Sequence, residues 1–158
     1  IHGACIKAIY MQCKYIYFAP MKLTRYTDYA LRVLIFLAGR DEGLASIRQI
    51  ADAYGISQNH LMKIVQDLGH AGFVETVRGR RGGLRLPRSA GLITIGSVVR
   101  HTEGNGAMVD CSTCLIAPAC GLPAILSEAT EAFMATLDRY TLADVAKRPG
   151  AFRALFAV

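Results

Sequence analysis

The stretch SIRQIADAYGISQNHLMKIVQDLG, residues 46–69, decides the fold of this chain. Ser46 and Gln49 have the spacing of a capping box, in which each side chain satisfies a backbone N–H group at the start of a helix. Gly55 suits the left-handed position that ends a helix, and Ser57 is placed to cap a second helix directly afterwards. Two short helices joined by a turn that contains glycine predict a helix-turn-helix motif.

A basic β-hairpin is expected directly after these two helices. Phe73-Val-Glu-Thr-Val-Arg78 has the composition of a strand, and Leu84-Arg-Leu-Pro-Arg88 alternates as a second strand. The segment between them, Arg78-Gly-Arg-Arg-Gly-Gly83, predicts a tight basic turn. The expected fold class is therefore mainly α with a small β-hairpin wing, that is, a winged helix-turn-helix.

Helices on both sides of this unit complete the expected fold. Residues 24–38 place apolar side chains on one face with Thr24 as N-cap, and Thr94 is placed to cap a helix through Val99. A longer helix over about 122–138 carries a continuous apolar stripe of Leu122, Ile125, Leu126, Ala129, Phe133 and Leu137. Because such a stripe needs a partner surface, we interpret this segment as a dimerisation helix. Packing against the chain's own winged helix is the alternative.

The domain organisation follows from where the patterns begin and end. Met21 opens the first well-patterned segment, whereas residues 1–20 show no regular period and are expected to be an upstream or non-native extension. The expected divisions are a winged helix-turn-helix over 21–100, a cysteine loop that binds a metal centre over 101–121, the dimerisation helix and following segment over 122–145, and a tail over 146–158.

Composition and charge narrow the classes of function. Among 158 residues, 53% are hydrophobic, which is ample for a core, and the net charge of +6 favours a polyanionic partner. Residues 78–88 contain five arginines and no acid. An odd number of cysteines without a signal peptide or spanning segment indicates a reducing cytoplasm and no membrane partner. No nucleophile motif accompanies a histidine and no glycine-rich phosphate loop follows a strand, so an enzyme is not expected.

A DNA-binding surface is expected on the second helix of the motif and on the hairpin tip. With Leu61, Ile64 and Leu68 turned inward, the outward positions carry residue types suited to base edges and phosphates. An ordinary solvated helix face and a basic surface loop are the alternatives. The predicted contacts are Ser57, Gln58, Asn59, Lys63, Gln66, Arg78, Arg80 and Arg81.

Three cysteines within ten residues, Cys111, Cys114 and Cys120, predict a metal centre. Zinc and an iron–sulfur cluster both fit three thiolates, and a set of small buried hydrophobes is the third interpretation. A fourth ligand is needed, for which nearby polar residues are candidates: His101, Glu103 and Asp110. Asp28 is a further possibility, although the residues alone favour a helix-start acid stabilised by the dipole.

From Met21 to about Val145 the chain resembles the dimeric winged-helix iron–sulfur transcription regulators of the NsrR/IscR family of bacteria. The resemblance is carried by the three cysteines and by the segments Met21–Arg32, Ile50–Ser57, Asn59–Lys63, Val77–Leu84 and Leu137–Asp144. It implies a homodimer that binds a palindromic operator in double-stranded DNA and represses transcription.

The resemblance also implies a ligand set and a signal. Cys111, Cys114 and Cys120 match the cluster ligands, and Asp28 matches the position from which NsrR-type members supply the fourth ligand across the dimer. IscR-type members use a histidine where this chain has Pro123, so the chain looks more like the NsrR type. Nitric oxide is then the implied signal, and a 4Fe–4S cluster is expected ahead of a 2Fe–2S cluster.

One departure from the family pattern widens the expectation. Only Ser112 and Thr113 separate the first two cysteines, where the family usually has more residues. Iron, redox or cluster-status sensing therefore remains an alternative within the family. A zinc-bound or metal-free dimeric DNA-binding module without sensing is the alternative outside it.

Overall fold

The computed structural model describes residues 22–40, 43–79, 81–104, 106 and 108–146. The expected extension 1–20, Arg80 and nearly all of the expected tail therefore lie outside the described residues. Over the described residues, the elements in chain order are α1 (Arg25–Ala38), α2 (Ile47–Tyr54), α3 (Gln58–His70), β1 (Glu75–Val77), β2 (Gly83–Arg85), α4 (Ile95–Glu103), α5 (Leu122–Asp138) and α6 (Leu142–Val145).

The predicted helix-turn-helix is formed by α2 and α3. The capping box at the start of α2 is confirmed, since the Gln49 N–H donates to Ser46 Oγ at 3.1 Å and the Ser46 N–H donates to Gln49 Oε1 at 2.8 Å. Gly55 ends α2 at φ 63° in the predicted left-handed position. Ser57 is the N-cap residue of α3, but the prediction that its side chain caps the helix is wrong, because it makes no capping hydrogen bond.

The core is built around α1, which begins as predicted with Thr24 Oγ1 accepting from the Thr27 N–H at 3.2 Å. The inward face of α1 meets one face each of α2, α3 and α4. Fully buried side chains from these elements include Leu34, Ile50, Leu61, Leu68 and Val98. Burying a side chain of this size contributes about 1.5–3 kcal/mol, so this cluster holds the helix-turn-helix rigid.

The wing is an antiparallel hairpin whose strands are shorter than predicted. Thr76 pairs with Leu84, and Phe73 and Val74 precede β1 as buried coil residues. Ala45 exchanges two backbone hydrogen bonds with Leu84, of 3.0 and 2.8 Å, and so attaches the hairpin to the segment before α2. The sequence pattern did not reveal this attachment, because it joins residues far apart in the chain.

The last two helices return the chain to the core. A bidentate salt bridge joins Arg100 of α4 to Asp138 of α5. Arg100 Nη1 donates to Asp138 Oδ1 at 2.7 Å, and Nη2 donates to Oδ2. The sequence predicted no secondary structure for the segment after α5. This segment forms α6, which begins with a capping box of Thr141 and Asp144. Leu142 is fully buried beside Ile93. None of the described helices is both long and apolar enough to cross a membrane.

Candidate cluster site and DNA-binding surface

The outward face of α3 presents a row of polar side chains. Leu61, Ile64, Val65 and Leu68 are buried, and this burial orients the rest of the helix. The five residues predicted from this region to contact DNA are all exposed: Ser57, Gln58, Asn59, Lys63 and Gln66. A polar helix face held by four buried side chains is suited to enter a major groove as a rigid unit.

The hairpin tip projects two exposed arginines of the described chain, Arg78 and Arg81. The Gly82 N–H donates to the Gly79 carbonyl at 2.9 Å, which closes the turn, and Gly79 has φ 118°. A Cβ on Gly82 would lie 2.8 Å from that carbonyl oxygen, so the tight turn requires glycine there. The third predicted tip residue, Arg80, lies between them in sequence but outside the described residues.

The charges on the hairpin are not equivalent. Arg85 Nε forms a salt bridge with Glu75 Oε2 at 2.9 Å across the two strands, and the Arg88 guanidinium lies over the Phe73 ring at 5.8 Å. Within the described residues, Arg78 and Arg81 form no salt bridge. Arg78 and Arg81 therefore leave uncompensated positive charge at the tip, where a polyanion can reach it.

The three cysteines lie on a backbone that turns every three residues. The Cys114 N–H donates to the Cys111 carbonyl at 3.3 Å, the Ala117 N–H to the Cys114 carbonyl at 3.2 Å, and the Cys120 N–H to the Ala117 carbonyl at 3.3 Å. The three thiols therefore lie along one short run of hydrogen-bonded turns directly before α5.

The donor chemistry of this loop fits a thiolate-bound metal centre. All three cysteines are free thiols, with Cys114 exposed and the other two half-buried. Within the described part of the single chain, no three His, Cys, Asp or Glu side chains already form a metal site. The thiols would therefore have to draw together on binding, and a ligand from outside the loop is needed to complete the set.

The three nearby candidates for the fourth ligand are each engaged elsewhere. His101 Nε2 lies 2.8 Å from Asp67 Oδ2, and Asp110 Oδ1 accepts from the Ser112 N–H at 2.9 Å. Glu103 accepts from the Thr24 N–H at 2.7 Å and from the Thr27 hydroxyl. Burial raises the pKa of Glu103, but these hydrogen bonds outweigh it and lower the pKa below its ordinary value.

Asp28 lies on the first turn of α1, on the surface of the molecule. Its side chain is 46% exposed, and its Oδ2 lies 3.0 Å from Arg32 Nη2. Arg32 in turn lies over the Tyr54 ring at 5.7 Å. Since the Asp28 side chain is half-exposed at the surface, a second chain could reach its carboxylate.

A polar junction that the sequence analysis missed ties α3 to α1 and α4. Asp67 Oδ2 accepts a hydrogen bond from the Tyr26 hydroxyl at 2.6 Å and lies 2.8 Å from His101 Nε2. The hydrogen bond from Tyr26 is the main cause that lowers the pKa of Asp67. Burial, together with the Asp67 carboxylate, raises the pKa of Tyr26 to about 12. The periodicity of apolar residues gives no signal for such a contact.

A cavity of about 930 Å³ lies among α4, α5, the start of the cysteine loop and the segment before α1. Its walls come from α4, α5 and the loop between them, and Cys111 lies on one side. Most of the lining is apolar and includes Val99, Val109, Leu126, Phe133 and Met134. The first cysteine therefore borders a space bounded by the helices that frame the loop.

Comparison with known proteins agrees with this architecture. The profile of the Rrf2 family, described as "Iron-dependent Transcriptional regulator", matches residues 23–148. "HTH-type transcriptional regulator NsrR" of Bacillus subtilis is 53% identical over 133 residues, covering 80% of this chain and 91% of that protein. The protein of the same name from Bacillus licheniformis is 51% identical over 131 residues, covering 79% and 92%.

Solved structures give the same answer for the fold. "T. potens IscR" matches with a TM-score of 0.68 and 27% identity, covering 82% of this chain and 88% of that one. The structure of "CymR (YrzC) the Global Cysteine Regulator of B. subtilis" matches with a TM-score of 0.64 and 30% identity, covering 81% and 98%. The predicted resemblance and fold class are confirmed, and the chain is a transcriptional regulator, not an enzyme. It belongs to the Rrf2 family of transcriptional regulators.

Proposed function

We propose that this chain is a homodimeric DNA-binding repressor whose operator binding is controlled by an iron–sulfur cluster and released by nitric oxide. The observation that carries the proposal is the placement of three free thiols, Cys111, Cys114 and Cys120, on a run of three hydrogen-bonded turns directly before α5. The relatives named NsrR and IscR support a cluster in this family. Such a regulator works on chromosomal DNA, so we place it in the cytoplasm.

The ligands of the cluster are assigned from donor chemistry and exposure. Cys111, Cys114 and Cys120 supply three thiolates, and Asp28 of a second copy supplies a carboxylate. A 4Fe–4S cluster with one carboxylate ligand offers an iron that nitric oxide can attack. The residues of the chain hold the loop in place, since Asp110 fastens the turn that carries the first two thiols.

The dimer is proposed to form through α5. No side chain of this helix is fully buried within the single chain, although its mean composition is apolar. Ile125 is 63% exposed, Leu122 is 49% exposed and Phe133 is 38% exposed. Covering this stripe with the same stripe of a second copy removes apolar surface from water and would bring two winged helices onto one palindromic site.

DNA contact is assigned to two elements of each subunit. The polar face of α3 would read base edges in the major groove, while Arg80 and Arg81 at the wing tip would enter the minor groove beside it. The Asp67–His101 contact joins α3 to the helix that leads into the cysteine loop. We therefore propose that a change in the loop reaches the recognition helix through α4.

The first experiment is an anaerobic visible absorption spectrum of the freshly purified full chain, titrated with nitric oxide while operator binding is followed by fluorescence anisotropy. A charge-transfer band that changes with nitric oxide, together with loss of operator binding, is the expected result. Cys114→Ser should lose the band, whereas the neighbouring Ser112→Ala should retain it. A colourless protein that contains zinc, or equal operator affinity with and without cluster, would overturn the sensing function and leave a dimeric DNA-binding module.

A further inference from the structure

The first two cysteines share a single hydrogen-bonded turn. The Cys114 N–H donates to the Cys111 carbonyl, and only Ser112 and Thr113 lie between them. A β-turn of this kind keeps the Cα atoms of its end residues within about 7 Å, and the Cα atoms of disulfide-bonded cysteines lie about 4.4–6.8 Å apart. The turn therefore already brings the two Cα atoms into the range of separation that a Cys111–Cys114 disulfide requires.

The turn is also reinforced and accessible. The Asp110 side chain accepts from the Ser112 N–H at 2.9 Å, which ties the residue before Cys111 to the middle of the turn. Cys114 is exposed, and the next side chain, Leu115, is 98% exposed, so nothing in the described chain screens this thiol from a small oxidant. Cys111 is half-buried against the cavity and is less open to direct attack.

We propose that, in cluster-free protein, Cys111 and Cys114 form a redox-active dithiol that closes into a reversible intramolecular disulfide. The formation of this disulfide does not depend on the proposed function, but its effect on cluster assembly does. Two of the three thiolates are then unable to bind iron, so a new cluster cannot be built until a dithiol reductant reopens the bond. The oxidation state of this cysteine pair would therefore control whether the regulator can acquire a new cluster.

The reaction needs an oxidant, for which a low-molecular-weight disulfide suffices. The Cys114 thiolate attacks that disulfide, forms a mixed disulfide and releases one small thiolate. The Cys111 thiolate then attacks Cys114 Sγ, forms the intramolecular bond and releases the second small thiolate. The protein loses two electrons and two protons in total, and the small disulfide is reduced to two thiols.

Cys120 is the less suitable partner for Cys114. Five residues separate these two cysteines, including Pro118 and the tight helical turn Ala117–Ala119. A longer loop costs more entropy to close, and this turn would have to open first. A disulfide at the exposed Cys114 is also of the readily reducible kind.

The test is equilibration of anaerobic cluster-free protein in glutathione buffers of increasing oxidised fraction, followed by acid quenching, alkylation and peptide mapping by mass spectrometry. The expected product is an intramolecular Cys111–Cys114 bond, mapped separately from Cys5 and Cys13. Cys120→Ser should form the same bond, whereas Cys111→Ser should stop at glutathione attached to Cys114. A product dominated by Cys114–Cys120, or by glutathione on each thiol, would overturn the proposal.

A spacing variant provides the matched control. Inserting Gly-Ser-Gly between Ser112 and Thr113 keeps every thiol and lengthens only the loop, so the equilibrium constant for the bond should fall about threefold or more. Iron uptake by oxidised and by reduced protein then separates the two ideas. Iron uptake only after reduction supports both the cluster function and the role of the disulfide. A mapped disulfide without iron uptake after reduction contradicts only the cluster function. Equal uptake by the oxidised and reduced forms contradicts the proposal that the disulfide prevents cluster assembly.

Discussion

His101 of α4 and Asp67 of α3 lie 2.8 Å apart, from Nε2 to Oδ2, and join α3 to the helix that leads into the cysteine loop. Tyr26 of α1 donates to the same carboxylate oxygen at 2.6 Å. A single side chain on α3 thus contacts both neighbouring helices. The Phe73 ring, 5.7 Å from the His101 ring, packs beside this junction.

Replacing Asp67 with alanine should destabilise the protein. Two hydrogen bonds are lost and the Tyr26 hydroxyl is left without its acceptor, which should cost about 1–2 kcal/mol after allowance for partial exposure. Urea unfolding of cluster-free protein measures this. Asp52→Ala is the control, because its 3.7 Å pair with Arg48 is largely exposed and should contribute almost nothing. Equal losses in the two variants would contradict the role of the junction.

The same junction predicts how stability depends on pH. The pKa of Asp67 is lower in the folded protein, so its contribution is present above the ordinary aspartate pKa and is lost as the pH falls through the folded value. The pKa of Tyr26 is raised to about 12, so its contribution is present below pH 10 and is lost as the pH rises through 12. Asp67→Asn should flatten the acid side of the stability curve, and Tyr26→Phe should remove the latest step of a tyrosinate absorption titration. An unchanged acid limb in Asp67→Asn would count against this assignment.

Two glycine-to-alanine substitutions should have opposite effects. At Gly96 of α4, a Cβ would lie 2.9 Å from Asp138 Cγ and 3.0 Å from its backbone N, so Gly96→Ala should cost about 1–3 kcal/mol. At Gly69 inside α3, the nearest atom would be the Val74 oxygen at 3.8 Å, so Gly69→Ala should add about 0.5–1 kcal/mol. Thermal unfolding of the two variants side by side gives the sign directly, and a stabilised Gly96→Ala would show that α4 and α5 are packed less closely.

Removing one arginine from the wing tip should weaken DNA binding in a salt-dependent way. Arg81 is exposed and forms no salt bridge within the described chain, so Arg81→Ala should lower the slope of log affinity against log salt by about one. Anisotropy titrations of an operator duplex at several salt concentrations measure this slope. Arg139→Ala, an exposed change directly after α5 and outside the wing, should leave it unchanged. An equal slope for Arg81→Ala and the native chain would show that the wing tip does not contact DNA.

A charge on the apolar stripe of α5 should dissociate the proposed dimer. Ile125→Asp places a carboxylate on a side chain that is 63% exposed in the single chain, and burying it against a second copy would be costly. Ala124→Asp adds the same charge on the opposite side of the helix and is the matched control. Sedimentation equilibrium should show monomers for the first variant and dimers for the second; dimers for both would place the interface elsewhere.

The sequence predicted best the features that local chemistry specifies. Thr24, Ser46 and Thr94 cap their helices as expected, because capping depends on residues within one turn. The wing strands were predicted too long, since the apolar pair Phe73 and Val74 is buried as coil. Patterns of apolarity report burial and do not distinguish a strand from a buried connection.

Long-range contacts could not be read from the pattern in the same way. Leu142 belongs to the core only because α6 folds back beside Ile93, and Asp67 meets His101 across 34 positions. The proposed ligand set is a related case, because its fourth member would come from another molecule. Asp28 was proposed through the family resemblance, and its surface position is compatible with that role.

The return of α6 determines how any motion of α5 would be transmitted. The Ile95 N–H donates to the Tyr140 carbonyl at 2.8 Å and the Leu142 N–H donates to the Ile93 carbonyl at 2.9 Å, so the end of α5 is bonded to the start of α4. A long helix fastened in this way behaves as a lever on the winged helix, with a length of about 25 Å. A tilt of about 10° at that radius moves the far end by about 4 Å, close to one base-pair step. In the proposed dimer, a small change in the angle between the two α5 helices would therefore be enough to move the two winged helices into or out of register with the turns of the DNA.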